Sequence, residues 1–195
     1  MTRHNLRRKL QQIRRNLPAE QQQTAAREVA NRLQQRLSHL QPEQTTVAVY
    51  KSFDGELPTF PVIETLCQLG FNTVLPVLHP FAKGHLLFLR YTPDTPMALN
   101  KYGIQEPELN VQNVVPLSDI QILLMPLVGF DNQGNRIGMG GGYYDRTLAQ
   151  WHNGYQPNLS PIGLSYNEQQ VERIPVESWD IPLPEVITPA KHWRF

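Results

Sequence analysis

The residues best suited to chemistry lie between Pro126 and Arg146, in the string PLVGFDNQGNRIGMGGGYYDR. Gly138, Gly140, Gly141 and Gly142 place four glycines within five residues. Such a run lets the backbone take positive φ and come close to a ligand. Consecutive N–H groups then converge on one point, and a helix starting there adds partial positive charge. That chemistry suits a phosphate. Arg136 contributes a full charge beside it. Asp145 falls in the first turn of the following helix, where a carboxylate next to phosphates is a natural Mg²⁺ ligand. It also complements the helix dipole. A Walker loop is excluded, because no Gly-Lys-Ser/Thr follows the glycines. A dinucleotide fingerprint is excluded because Tyr143 stands where the third glycine belongs. Glycines alone also suit a plain turn between a strand and a helix.

The elements around this loop follow from periodicity. Leu6, Leu10, Ile13 and Leu17 recur at spacings of three and four, predicting an amphipathic N-terminal helix. Its other residues are basic: Arg3, Arg7, Arg8, Lys9, Arg14 and Arg15 precede any acidic residue. A second helix is expected from Ala19 to Leu40, closed by Pro42. Strands are expected at Thr45–Tyr50, Thr73–Leu78, His85–Tyr91, Pro161–Tyr166 and Glu185–Thr188, from their β-branched and apolar runs. Thr59 should cap a short helix through Leu69 that Gly70 stops. Ile120 to Val128 is the most apolar run and should form a central strand. Residues 92–116 are rich in Pro and Asn without a clear period, and read as irregular surface chain. A helix from Tyr143 to His152 follows the glycine loop. Strands alternating with helices imply a sheet between helical layers. The expectation is one domain over 1–195: a three-layer α/β/α sandwich with a mainly parallel sheet. Its N-terminal helices (2–40) pack on an α/β core (45–190).

Composition narrows the setting. One cysteine, Cys67, forbids an intrachain disulfide and fits a reducing compartment. The six histidines lack zinc-ligand spacing. No signal peptide is expected, since no apolar stretch follows the basic start. No run of about 18 apolar residues predicts a membrane span. A soluble cytoplasmic monomer is expected, with no membrane or nucleic-acid partner. The basic first helix raises nucleic-acid binding as an alternative. A net charge of only +1 argues against it.

The string GFDNQGNRIGMGGGYYDR resembles the signature of the 5-formyltetrahydrofolate cyclo-ligases, also called methenyltetrahydrofolate synthetases. The resemblance extends over nearly the whole chain. Arg3-His4-Asn5-Leu6-Arg7 resembles the family's K-x-x-L-R. Tyr50 to Thr59 resembles its segment with a glutamate before a threonine. Ile162-Gly163-Leu164 with Tyr166 and Gln169, and Asp180 to Thr188, resemble its later motifs. It implies an α/β/α sandwich that converts 5-formyltetrahydrofolate and ATP to 5,10-methenyltetrahydrofolate, ADP and phosphate, with Mg²⁺. It also implies ATP-binding roles for Arg3, His4, Asn5, Leu6 and Arg7, and for Gly134, Asn135, Arg136, Ile137, Gly138, Met139, Gly140, Gly141, Gly142, Tyr143 and Tyr144. Arg136 and Asp145 become catalytic candidates. Asp145 and Asp180 become metal candidates. Glu56, with Tyr143 and Tyr144, becomes a folate contact. Two positions depart from the pattern: Arg3 replaces a lysine of different geometry, and Trp179 stands where many members have His. Sandwich folds of this kind also host sugar-phosphate isomerases and coenzyme A transferases, which fold alone does not separate.

Overall fold

The computed structural model describes residues 2–195. Helix α1 spans Arg3–Arg15, with the Thr2 hydroxyl accepting from the Asn5 amide at its N-cap. Helix α2 runs Ala19–Leu37. It ends short of Leu40, where the Ser38 hydroxyl donates to the Gln35 carbonyl at 2.9 Å. Strand β1 (Thr46–Ala48), helix α3 (Phe60–Gln68) and strand β2 (Asn72–Leu78) form a parallel crossover unit. Thr59 precedes α3 but does not cap it with its side chain. Its hydroxyl donates instead to the Tyr50 carbonyl at 2.6 Å and accepts from the Ser52 amide, pinning the chain after β1.

Strand β3 (Leu86–Arg90) returns antiparallel to β2. The segment expected to be irregular is ordered. Strands β4 (Met97–Leu99) and β5 (Gln105–Pro107) pair as a small hairpin, and β6 (Val114–Val115) joins the edge of the main sheet. Asn100 builds the hairpin's turn: its side-chain oxygen accepts from the amides of Tyr102 and Ile104. Pairings this short leave too few residues for alternation to be read.

Strand β7 (Ile122–Pro126) is central, followed by a two-residue pairing of β8 (Gly129–Phe130) with β9 (Arg136–Ile137). Helix α4 (Tyr143–His152), β10 (Ser160–Leu164), β11 (Glu185–Ile187) and β12 (His192–Arg194) complete the chain. The main sheet has the order β12-β11-β10-β7-β1-β2-β3-β6. Its five inner strands are parallel, and β3, β6 and β12 add antiparallel edges.

Successive strand residues point to opposite faces. Val47, Val49, Leu124 and Ile162 pack with Val29, Leu33 and Leu37 of α2 and with Val62 and Leu66 of α3. Ala48, Leu123, Met125 and Val186 pack on the other face with Leu148 of α4. That is the α/β/α sandwich. Cys67 is half-buried against the first face. Helix α1 stands apart from both layers. Its Leu6 and Leu10 bury against Val128, Ile137 and Ile174, beyond the carboxyl end of β7.

Candidate active site

A cavity of about 450 Å³ opens at the carboxyl ends of β1, β2 and β7. Open α/β sheets commonly bind ligands at this edge. One group of lining residues, the glycine end, is Arg136, Gly138 to Gly142, and Asp145. A second group, the Glu56 end, is Tyr50, Lys51, Phe53 and Glu56, with Asn100, Tyr102 and Glu106 of the small hairpin region.

The glycine end is held by its neighbours. Asp131 folds the β8–β9 turn, its carboxylate accepting from the Gln133 and Asn135 amides at 2.9 and 3.1 Å and from the Ile174 amide at 3.0 Å. That turn delivers Arg136, buried, into the cavity wall. Burial pulls the Arg136 guanidinium below the usual arginine value, against the attraction of Asp145. Arg136 Nη2 pairs with Asp145 Oδ1, and Arg136 Nε is buried without a partner among the described residues. The Gly142 φ of +69° puts the left-handed turn immediately before α4. Arg7 reaches from α1, its Nε donating to the Gly138 carbonyl at 2.7 Å.

A cation at this end would have to share its ligands with a phosphate. Among the described residues no three His, Cys, Asp or Glu side chains gather as a cage. Asp145 lines the cavity with one oxygen on Arg136, and among the described residues no protein donor is bonded to the other. One carboxylate plus phosphate oxygens is a usual Mg²⁺ environment, so Asp145 fits. Asp180, like Asp145, is paired with an arginine. It forms a two-pronged ion pair with Arg3, with Nη2 2.7 Å from Oδ1, and it accepts from the Glu177 amide at 2.8 Å. Burial pushes the Asp180 carboxyl up, but these hydrogen bonds and the charges of Arg3 and Arg136 hold it below the usual carboxylate value.

The other candidates divide by position. His4 and Asn5 are exposed on α1, and Leu6 and Ile137 are core residues beneath the glycine loop. Gly134 and Asn135 form the β8–β9 turn: the Gly134 carbonyl accepts from the Leu183 amide at 2.9 Å, and Asn135 Nδ2 donates to Asp131 at 3.0 Å. Neither lines the cavity. Tyr144, in the first turn of α4, packs on the core and lines the cavity, and burial pushes its hydroxyl well up. Tyr143 stands at the mouth, its hydroxyl 3.1 Å from that of Tyr102.

Glu56 is buried at 6% exposure, although it lies in a loop. Its Oε2 accepts from the Phe53 amide at 3.2 Å. Burial raises its carboxyl to about 7, against the lowering effect of Arg14. The Tyr50 hydroxyl is buried without a partner among the described residues, and burial together with the Glu56 charge raises it far above the ordinary phenol value. The sequence reading missed Arg14 and the 100–106 segment. Arg14 carried a legible signal: it lies four residues past Leu10, a charge on the apolar stripe.

Fold and site define an α/β enzyme whose cavity joins a glycine-rich loop to a buried acid. Residues 1–189 match the model of the 5-formyltetrahydrofolate cyclo-ligase family, and the chain belongs to that family. It is 50% identical over 186 residues to the 5-formyltetrahydrofolate cyclo-ligase of Haemophilus influenzae, covering 95% of this chain and 96% of that one. It is 48% identical over 186 residues to the cyclo-ligase of Escherichia coli, covering 95% and 100%. The solution structure of Aquifex aeolicus 5,10-methenyltetrahydrofolate synthetase matches with a TM-score of 0.82 at 27% identity, covering 100% of this chain and 93% of that one.

Proposed function

We propose that the chain converts 5-formyltetrahydrofolate to 5,10-methenyltetrahydrofolate with ATP and Mg²⁺, the nucleotide phosphates occupying the glycine end and the pterin the Glu56 end. One observation supports this reading beyond family membership: a single cavity is lined by both the glycine loop and a buried carboxylate. The first suits a polyphosphate. The second suits a ring edge rich in N–H donors, since a carboxylate only accepts.

The chemistry follows from those two sites. The formyl oxygen attacks the γ-phosphorus of ATP, and the bond from that phosphorus to the ADP oxygen breaks. The N10 lone pair then adds to the formyl carbon. The carbon–oxygen bond to phosphate breaks, phosphate departs, and N10 loses its proton. Such a transfer depends on positioning and charge neutralisation rather than on a protein nucleophile. Loop amides and Arg136 would orient the phosphates, and Arg7 would keep the loop in shape through the Gly138 carbonyl. Asp145 would hold Mg²⁺, which would supply further charge neutralisation. Arg3, anchored on Asp180, adds a cation near the same end. The apolar wall of Pro76, Leu78 and Leu86 would exclude water from the reacting groups.

The test is spectrophotometric. Purified protein with 5-formyltetrahydrofolate, Mg²⁺ and ATP should develop the near-ultraviolet band of the methenyl product, and the band should not grow when ATP is omitted. A folded protein that develops no band would sink the reading.

A further inference from the structure

Arg14 is wholly buried, yet its guanidinium is only partly bonded. Nε donates to the Asp54 carbonyl at 3.1 Å and Nη2 to Asp54 Oδ2 at 3.3 Å. Nη2 also lies 3.3 Å from Met139 Sδ, in the glycine loop. Nη1 has no hydrogen-bond partner among the described residues and lies 4.0 Å from Glu56 Oε1. Leaving a buried donor idle is costly, and such groups in a folded protein usually serve something. Here the idle N–H, the idle Tyr50 hydroxyl and the thinly bonded Glu56 carboxylate belong to one interior niche.

The charges around Glu56 make Arg14 distinctive. Asp54 lies on the same loop, Tyr50 follows β1, Tyr144 comes from α4, and Tyr166 follows β10 with its hydroxyl donating to the Glu56 backbone carbonyl at 3.3 Å. Arg14 is the cation that acts on Glu56 itself, while Arg136 acts on Tyr144 and Lys51 lines the cavity beside Tyr50. The Asp54 charge is drawn off by Arg15, whose Nε and Nη2 donate to it at 2.6 and 2.7 Å. Neighbouring arginines of α1 thus divide the work: Arg15 secures the loop, and Arg14 reaches inward to the acid.

We propose that Arg14 is a positioning residue, holding the Glu56 carboxylate charged and oriented so that folate recognition depends on helix α1. This rests on the reading of the Glu56 end as the folate site. Arg14 also makes a physical link between the two ends of the cavity, because one guanidinium touches both the Asp54 loop and Met139. Burial works against the charged carboxylate and Arg14 works for it. Removing Arg14 therefore favours the protonated acid, which offers the pterin donors one acceptor fewer.

The experiment compares wild type, Arg14→Met and Arg14→Lys, measuring KM for 5-formyltetrahydrofolate and for ATP across mildly acidic to mildly alkaline pH. Wild type should lose folate kcat/KM on the acid side as Glu56 takes a proton. In Arg14→Met that midpoint should move up by about one to two pH units, as expected for loss of a close opposite charge. KM for folate should then rise roughly tenfold at neutral pH, with KM for ATP little changed. Arg14→Lys should recover much of the shift, and Arg14→Met should add no shift in a Glu56→Gln background. Arg14→Gln, a milder truncation that keeps a donor in the niche, serves the same comparison where Arg14→Met does not fold. An unmoved midpoint in an active, folded variant overturns the role of Arg14 alone. So does a parallel rise of both KM values, or a lysine variant no better than the methionine one. Wild-type protein that never turns over 5-formyltetrahydrofolate overturns the folate reading, and this inference with it.

Discussion

At one end of the cavity, consecutive residues from Gly138 to Gly142 supply the wall; at the other, Tyr50, Glu56, Leu86 and Tyr102 arrive from distant stretches of chain. The first end offers backbone N–H groups and a helix terminus, whose polarity is built into the peptide. The second works through side chains whose charge depends on what buries them. Glu56 in water would be an ordinary carboxylate, and in this niche its carboxyl is raised to about 7. A loop's chemistry can therefore be written locally, whereas a buried acid's chemistry is written by its neighbours.

Substitutions at each end should separate these two kinds of construction. The largest effect is expected for Asp145→Asn. Turnover should fall roughly 10²–10³-fold, the scale of losing one charge-stabilising group in a transition state. The fold and folate binding should survive, as checked by thermal unfolding and ligand titration. Unchanged turnover would remove Asp145 from the phosphate chemistry.

Glu56→Gln should strike the other end. KM for 5-formyltetrahydrofolate should rise roughly tenfold or more, corresponding to about 1.5–3 kcal/mol for a hydrogen bond to a charged group. KM for ATP should hold, and equal losses for both substrates would blur the two-ended picture. The same variant should change how stability depends on pH. The folded-state carboxyl is raised above its ordinary value, so the native state binds the proton more tightly than the unfolded chain. Stability therefore falls as pH rises from the ordinary carboxylate range through about 7. The contribution is up to about 3 kcal/mol. Denaturation in urea at mildly acidic and mildly alkaline pH should show that decline in wild type and a smaller one in Glu56→Gln.

Two glycines sharpen the comparison from within a single motif. Gly134 has φ of +78°, and a Cβ there would meet the Leu183 carbonyl oxygen at 2.3 Å. Gly134→Ala should lower stability by more than about 1–2 kcal/mol, the conformational cost alone, because the backbone neighbour must also shift. Gly140 has φ of +97° with its nearest such neighbour, Arg7 Cζ, at 3.9 Å. Gly140→Ala should cost less stability and instead weaken ATP, read as a rise in its KM. The reverse pattern would make Gly134 the ligand contact and Gly140 the strut.

The smallest effect is expected for Tyr102→Phe. It removes the hydroxyl 3.1 Å from that of Tyr143 at the cavity mouth. Loss of one partly exposed hydrogen bond, about 0.5–1.5 kcal/mol, should change folate KM by a few-fold.

Much of this was legible before folding. Helix α4 begins at Tyr143 and ends at His152, the helix expected after the glycine loop. The central position of β7 follows from its unbroken apolar run. The small hairpin did not, because three-residue strands carry no readable alternation and their turn rests on the Asn100 side chain. Asp180 was read as a metal candidate, and its pairing with Arg3 spans 177 positions that no local pattern connects.

The sequence by itself determined the longer strands and the helices, the glycine loop and the identity of its charged neighbours, since propensity and periodicity act over a few residues. Tertiary structure alone decided which of those charges are buried. Arg14 meets Asp54 across 40 positions because α1 crosses the end of the sheet, and only that crossing turns one arginine of a basic run into the cation beside Glu56. Desolvation depends on everything packed around a group, so it is a property of the assembled fold and not of any segment.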